Sequence, residues 1–456
     1  MATETYDVVI LGGGNAGFGA TGPTRAAGLT VAMIEPGDLG GTCPNRGCTP
    51  KKVLVAAAHA LHEIERAEAH CIAVGTPRLD WTALIDREKA MIEGIPARLE
   101  RSLNDRNVTL IRGTARFTGA RNIAVDDRTI EAKHIVIATG SKPRKLPIDG
   151  AEHLITSDDV LNERVLPREI VFIGGGVIAM EFSHVYARAG AKVTILEVAP
   201  RVLSEFDQDA VAGIVKESRR IGIDLRMEVK IKRIAPLNGR LRVTFEEGGR
   251  EQTLDADRVV NGAGRIADVD ALDLTAGQVA DERGRIKVDE HLRSVSNPSV
   301  YVCGDALWSS PQLSPVASYE GDIVGRNIVD ELRNGGPRHK PDYAPIPSCV
   351  YTVPALSSVG LTQAKAVEQG RRVTAHTHDL GSWISTRTYA ETAAWSRVVV
   401  DEDGERILGA QIVGHAGEEL IHIFALAMKH GITVTALRQT VYGFPTFTAD
   451  IKSMVG

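Results

Sequence analysis

The sequence predicts an α/β protein: two Rossmann-like dinucleotide-binding domains and, after them, a smaller α+β domain. Three observations predict this. A glycine fingerprint occurs twice, Gly12-x-Gly14-x-x-Gly17 and Gly174-x-Gly176-x-x-Ala179, each time directly after an apolar strand. Glu35 and Glu197 each stand 21 residues beyond the second glycine of their fingerprint, at the end of a second strand. Each unit then passes through short alternating strands into a Gly-rich return, Ala138-Thr139-Gly140 in the first and Gly262-Ala263-Gly264-Arg265 in the second. The glycines of such a fingerprint permit a tight turn and a close approach to a pyrophosphate, and the acid accepts ribose hydroxyls. Two such units imply two dinucleotides.

Length and composition set the frame. A chain of 456 residues accommodates about three domains of ~150 residues. With 43% apolar residues and a formal net charge of −5, nothing argues for a nucleic acid or an anionic membrane as partner. No apolar run approaches the ~18 residues of a membrane span. The N-terminus enters a strand with no basic segment before it, so no signal peptide and a cytoplasmic location are expected. Five cysteines are too few for a structural disulfide framework in a chain of this size.

The elements follow in order. Tyr6–Leu11 and Leu29–Ile34 read as buried strands, and Gly22-Pro23 is expected to kink the helix between them. The stretch Gly40-Gly41-Thr42-Cys43-Pro44-Asn45-Arg46-Gly47-Cys48 then precedes Thr49-Pro50-Lys51-Lys52 and an amphipathic run. Pro50 suits the first turn of a helix, which places Cys48 at a helix N-terminus, where a thiolate is favoured. A thiolate with a second cysteine one turn away is chemistry for opening and closing a disulfide. Cys71, Cys303 and Cys349 read as packing residues. Residues 53–105 read mostly as helix; His59, His62 and His70 have no metal-ligand spacing, and no metal site is predicted.

Residues 108–138 read as a meander with strands at 108–111, 115–117, 122–125 and 129–130, returning through 134–138. The second unit repeats the plan, with strands at Ile170–Ile173 and Lys192–Leu196 and a second meander from Leu225 to Val260. A short apolar strand ends at Gly304-Asp305, where a carboxylate can accept from a ribityl hydroxyl. Gln312-Leu313-Ser314 opens a helix. A Pro-rich link at 335–347 precedes the last domain, with strands near 349–352, 372–380, 394–401 and 407–413 and helices near 362–370, 416–430 and 433–440. The expected domains are 1–148, 149–264, 265–344 (the return to the first) and 345–456.

In these motifs and their order the whole chain resembles the flavoprotein disulfide reductases, the family of glutathione reductase, dihydrolipoamide dehydrogenase and mercuric reductase. The resemblance implies FAD on the first fingerprint, a nicotinamide nucleotide on the second, and a C-terminal domain that makes a homodimer. It implies that Cys43 meets a small-molecule disulfide or thiol adduct and that Cys48 is the thiolate beside the flavin. Lys52, or Lys51, sits near flavin N5 and pairs with Glu181, and Asp305 holds the ribitol. The implied cofactor residues are Gly12, Gly14, Asn15, Ala16, Gly17, Glu35, Gly41, Thr42, Lys52, Ala115, Ala138, Thr139 and Gly140, then Gly174, Gly176, Ile178, Glu181, Glu197, Gly264 and Arg265, and finally Gly304, Asp305, Gln312, Leu313 and Ser314. Glu197 favours NADH by repelling a 2′-phosphate, while nearby Arg201 leaves NADPH open.

One departure stands out. The family's C-terminal His-Pro-Thr-x-x-Glu supplies an acid–base histidine from the other subunit. Here the run is Phe444-Pro445-Thr446-Phe447-Thr448-Ala449-Asp450, with neither the histidine nor the glutamate in place. General acid–base help is worth about 10²–10⁴-fold, so proton transfer is slow or rerouted through Tyr442, Asp450 or water. Mercuric reductase also lacks this histidine but ends in a cysteine pair that this chain does not have. The 2-ketopropyl-coenzyme M oxidoreductase/carboxylase resembles the site in its phenylalanine, which opens a second reading: thioether cleavage in a proton-poor pocket. A third reading is a flavin-linked redox sensor. Soluble transhydrogenases lack one of the two cysteines. Glutathione reductase carries a substrate-binding arginine where this chain has Gly22, and a tyrosine lid where it has Val177.

Overall fold

The computed structural model describes residues 3–456 and divides them into two compact units. The first comprises residues up to Lys51, Arg87–Arg144 and Arg265–Asp342; the second comprises Lys52–Asp86, Lys145–Gly264 and Tyr343–Gly456.

The first unit is built on a sheet whose centre is Glu4–Leu11, paired in parallel with Val31–Glu35 on one side and Arg128–Ile137 on the other. Val9 lies between Ala32 and Ile135. Both faces are covered, so Val8, Val9, Ile10 and Leu11 form an unbroken buried run rather than an alternating one. Val300–Val302 pairs with Arg128–Ile137 and brings Gly304 and Asp305 to the same end of the sheet as the first fingerprint. Two expectations change. The strand near 108–111 is Thr109–Arg112, and it extends the parallel sheet beside Val31–Glu35 instead of entering the meander. The strands expected at 129–130 and 134–138 are one element, Arg128–Ile137, long enough to pair antiparallel at its start and parallel over its length.

Pro23 does not break the first helix, which runs Asn15–Ala26. It lies in the last turn, so few hydrogen bonds depend on its missing N–H. The helix is also clamped from outside by the long helix Ser314–Asn334. The two backbones cross so closely that a Cβ on Gly321 would sit 2.1 Å from the carbonyl oxygen of Ala16, and one on Gly19 would sit 2.4 Å from that of Ser318. Residues 71–80, expected as helix, carry no regular element between the 3₁₀ turn Ala67–His70 and the helix Trp81–Ile92.

The second unit contains a parallel sheet in the order Asp224–Arg226, Lys192–Leu196, Glu169–Ile173, Arg258–Asn261. A three-stranded antiparallel sheet covers Lys230–Leu237, Arg240–Glu247 and Arg250–Ala256, so Leu225, placed by sequence in the second meander, belongs to the parallel sheet instead. The C-terminal part is a five-stranded antiparallel sheet that includes Ala355–Gly360, a strand the sequence reading passed over. Its Ser-Ser-Val-Gly composition has weak strand propensity; pairing with Ile407–Gly414 makes it a strand. The short helix Ile384–Thr388 was likewise not anticipated. Among the described residues no helix is long and apolar enough to cross a membrane.

In the second unit a buried ion network fixes the helix ending at Glu65 against the second-fingerprint helix Val177–Arg188. Arg188 donates to Glu65 at 2.8 Å and to the fully buried Glu217 at 2.9 Å, and Arg220 pairs with both acids. Removing Arg188 costs two charge-assisted hydrogen bonds but leaves buried Glu217 paired with Arg220. Arg188→Ala is therefore expected to lower unfolding free energy by about 2 kcal/mol in denaturant titration. Lys192→Ala, which breaks the exposed 2.9 Å pair with Glu169, should change it by less than about 1 kcal/mol.

Candidate active site

The cysteine loop is docked on the first fingerprint by main chain. The Gly40 N–H donates to the Gly13 carbonyl at 2.7 Å, and the Asn45 side chain folds back onto the carbonyls of Leu39 (2.9 Å) and Gly41 (3.1 Å). Cys43 lies in a single helical turn, Thr42–Arg46, ended by Gly47, and Cys48 opens the helix Cys48–Glu65. Both cysteines are thiols here and hydrogen-bond each other. Asn15 and Ser314 also hydrogen-bond Cys43, and the Asn15 amide donates to the Ser314 hydroxyl.

These contacts set the polarity of the pair. The hydrogen bond from Cys48, aided by Ser314 and Asn15, lowers the Cys43 thiol to about 6 against burial. Cys48 is pushed up, first by that same bond to Cys43 and then by burial. The sequence reading placed the thiolate on Cys48 at the helix N-terminus. The hydrogen bonds that the Cys48 thiol, the Cys48 backbone, Ser314 and Asn15 direct at Cys43 favour its thiolate.

Around this pair the first unit forms a cradle. Gly12 has φ of +114°, and a Cβ there would lie 2.3 Å from the Ala138 carbonyl oxygen, so backbone replaces side chain where the two loops meet. Gly14 caps the first helix with no side-chain hydrogen bond, leaving its N-terminal N–H groups open, with Ala16 and Gly17 buried behind it. The Glu35 carboxylate accepts from Gly13 N at 2.7 Å and Gly37 N at 2.8 Å. The Thr139 hydroxyl, beside Gly140, is buried with no hydrogen-bond partner. Asp305 accepts from Ser141 at 2.9 Å, burial raises its pKa, and Arg265 donates to Ser141 Oγ at 2.9 Å. The Gly304 N–H donates to buried Glu320 at 2.7 Å. Gln312 and Leu313 lead into the helix that Ser314 opens, and Ala115 is the buried first residue of its strand. Gly41 and Thr42 complete this group at the start of the Cys43 turn.

A cleft of about 430 Å³ in the same unit is bounded by Asn15, Phe18, Pro23, Leu99, Arg106 and Asp322. Its Asn15 wall is the residue that hydrogen-bonds Cys43. Arg106 donates to the Thr21 hydroxyl at 2.7 Å and is the cleft's one cation.

In the second unit Lys52 and Glu181 meet at Tyr351. The Lys52 ammonium lies 3.8 Å from the Tyr351 ring centre and 3.8 Å from Glu418, and the Glu181 carboxylate accepts from Tyr351 N at 2.8 Å. Gly176 caps the second-fingerprint helix with no side-chain hydrogen bond, as Gly14 caps the first; Ile178 lies in its first turn. Glu197 accepts from Gly175 N and, at 2.7 Å, from Ala199 N. Arg201 is turned onto the carbonyls of Phe206 (3.0 Å) and Ser204. Gly174 and Gly264 both take positive φ at the loops around this helix end.

The C-terminal run presents Phe444 to solvent, 80% exposed. Both residues named for rerouted proton transfer are engaged: the Tyr442 hydroxyl donates to the Leu437 carbonyl at 3.1 Å, and Asp450 accepts from Ser385. Cys303 is buried as expected and Cys349 half-buried, but Cys71 is exposed. His62, expected as a surface or packing residue, is buried between Glu65 and Glu391. Ser141, Tyr351, Glu391 and His415 were not singled out by sequence, because nothing near them in the chain signals the partner each one meets.

Residues 6–321 match the family described as pyridine nucleotide-disulphide oxidoreductase, and residues 346–455 match its dimerisation domain. A dihydrolipoyl dehydrogenase of Haloferax volcanii is 31% identical over 99% of this chain and 95% of its own. A glutathione reductase of Burkholderia cepacia is 31% identical over 100% and 99%. Among solved structures, the Cu(II) complex of the HOCl-induced flavoprotein disulfide reductase RclA from Escherichia coli superposes with a TM-score of 0.87 at 27% identity, covering 100% of this chain and 99% of that one.

The polarity of the pair is testable. Alkylation of the reduced protein by iodoacetamide should label Cys43 first, with a rate midpoint near pH 6, and Asn15→Ala should move the midpoint upward. A midpoint near the ordinary thiol value of about 8.5, or prior labelling of Cys48, would contradict the assignment.

Proposed function

Because the chain belongs to the pyridine nucleotide-disulphide oxidoreductase family, an FAD-dependent NAD(P)H:disulfide oxidoreductase class, we propose that it reduces a small disulfide or thiol adduct with NADH, through Cys43 and Cys48, as a homodimer. The observation that carries the reading is the Cys43–Cys48 pair hydrogen-bonded to Asn15 of the first fingerprint.

The first unit fits FAD. Thr139 holds a buried hydroxyl with no partner, Gly12 clears the space a side chain would fill, and the uncapped N-terminus of the first helix suits a pyrophosphate. Glu35 would take the adenosine ribose and Asp305 the ribityl chain. Bound flavin supplies the two-electron relay between nicotinamide and disulfide. Lys52, oriented with Tyr351 and Glu418, contributes positive charge, and Glu181 holds the Tyr351 backbone that supports it.

The chain's own chemistry is thiol exchange. Cys43 thiolate attacks one sulfur of the substrate; the Cys43–S bond forms, the substrate S–S bond breaks, and the departing sulfur takes a proton. Cys48 loses its proton and attacks Cys43 in the mixed disulfide, which releases the second substrate thiol and leaves a Cys43–Cys48 disulfide. The cleft beside Asn15 offers this substrate apolar walls, one guanidinium and one carboxylate, Asp322. That suits an uncharged disulfide better than glutathione disulfide.

NADH is favoured over NADPH because Glu197 binds the fingerprint loop while the nearby Arg201 is committed to backbone carbonyls and Arg226, beside Glu197 in the sheet, to Asp224 and Gln252. Val441 (95% exposed) and Phe444 are exposed apolar residues in the domain matched as dimerising, which supports a homodimer.

Steady-state oxidation of NADH against a panel of small disulfides tests the reading. Cys43→Ser, Cys48→Ser and the double variant should lose activity to the same extent, because the two thiols act as a unit. The kcat/KM for NADH should exceed that for NADPH by at least about tenfold, or ~1.4 kcal/mol, and Glu197→Ala should narrow the gap. Full activity in Cys43→Ser with every disulfide would overturn the proposal.

A further inference from the structure

A disulfide is uncharged overall either because it carries no charge or because its charges cancel. The cleft beside Asn15 distinguishes the two. Its floor is one line along the helix Asn15–Ala26, because Asn15, Gly19 and Gly22, at i, i+4 and i+7, share a face. Asn15 reaches Cys43 at one end of that line. Gly22 lies about 10 Å further along it. A Cβ on Gly22 would meet nothing within 4 Å, so no neighbour requires glycine there. Glycine is a poor residue for a helix interior, and what its missing side chain leaves is open floor.

Two other helices supply the walls, one on each flank. Ser314–Asn334 packs on the flank of Ala16 and Ala20, where a Cβ on Gly321 would sit 2.1 Å from the Ala16 carbonyl oxygen and 3.0 Å from Ala20 N. Along this helix Ser314, Ser318 and Asp322 follow at i, i+4 and i+8, so the wall runs from a hydroxyl that hydrogen-bonds Cys43 to a carboxylate. The second wall is the helix Ile95–Asp105 with its C-cap Arg106, where Leu99, Ser102 and Arg106 form a similar row. Arg106 Nη1 donates to the buried Thr21 hydroxyl at 2.7 Å and to the Phe18 carbonyl at 3.4 Å. Phe18 and Thr21 lie on the flank opposite Ala16 and Ala20. A guanidinium and a carboxylate therefore stand on opposite walls, each one to two turns beyond Asn15.

Both groups have capacity left. Arg106 is held through one nitrogen, and its Nε and Nη2 have no partner among the described residues. Asp322 pairs through one oxygen with Arg326 of its own helix at 2.8 Å, and such an exposed pair contributes little and exchanges readily.

We propose that this cleft selects disulfides whose far half bears a zwitterionic α-amino-acid head, with the carboxylate on Arg106 and the ammonium on Asp322. This rests on the disulfide reductase reading. The span agrees. In a cystine-type disulfide the far carboxyl carbon is about four bonds, or roughly 5 Å, from the sulfur that Cys43 attacks. Phe18 and Gly19 lie about 4–6 Å beyond Asn15 along the helix. A substrate with carboxylates alone sets like charge against Asp322, and one with ammonium groups alone sets like charge against Arg106.

The test measures kcat/KM on the FAD-loaded protein with NADH for four small disulfides. L-Cystine carries both charges, cystamine the ammonium, 3,3′-dithiodipropionate the carboxylate, and bis(2-hydroxyethyl) disulfide neither. L-Cystine should exceed each of the others by about tenfold, the worth of one charge-assisted hydrogen bond. Arg106→Gln and Asp322→Asn should each lower the ratio of L-cystine to bis(2-hydroxyethyl) disulfide by about tenfold, with the change in KM rather than kcat. Between the one-charge probes the variants should act oppositely: Arg106→Gln favours cystamine and Asp322→Asn favours dithiodipropionate. A folding defect would lower all four together. Equal wild-type kcat/KM for L-cystine and bis(2-hydroxyethyl) disulfide, or ratios that neither variant moves, overturns this inference alone. A wild type that reduces none of the four overturns the disulfide reductase reading with it.

Discussion

The hydrogen bond from Gly40 to the Gly13 carbonyl ties the cysteine loop to the first fingerprint, and the rest of the redox site depends on it. Once Gly40 and Gly41 lie against Gly13 and Gly14, Cys43 falls within reach of Asn15, the first residue of the fingerprint helix. The close crossing of that helix with Ser314–Asn334 then brings the Ser314 hydroxyl to the same sulfur. Two segments nearly 300 residues apart thus converge on one thiol, and their directed hydrogen bonds favour its thiolate at contact distance.

Glu391 plays a comparable part in the second unit. A carboxylate this deeply buried is costly unless it is paired and hydrogen-bonded. Here Arg66, His62 and His415 surround it, and the hydrogen bonds from the two imidazoles together with the Arg66 charge hold its pKa down despite burial. The stabilised carboxylate in turn holds an imidazole rigidly at the edge of the domain.

The two nucleotide cradles show how similar fingerprints are put to different uses. Both helices begin with a glycine cap that leaves N–H groups open, and both acids bind the loop of their own fingerprint. In the first unit the return segment adds Thr139, Ser141 and Asp305, polar groups gathered from beyond the fingerprint. In the second, Arg201 is turned onto backbone carbonyls.

Local pattern alone determined the two fingerprints, their acids, the cysteine spacing, the return strands and the replacement of histidine by Phe444. Each of these is a short-range signature, in which residue type and spacing impose one backbone course. Tertiary structure decided the rest. Pro23 is accommodated because a second helix clamps the first from outside. Thr109–Arg112 became a parallel edge strand because Val31–Glu35 offered it a partner, and Ala355–Gly360 became a strand because Ile407–Gly414 did. His62 gave no sign in the sequence of its partner, because Glu391 lies more than 300 residues away in the chain. Fingerprints are legible in sequence because their physics is that of one turn of backbone. Charge placement is not, because electrostatic and hydrogen-bonding energies act over a few ångströms of space and take no account of separation along the chain.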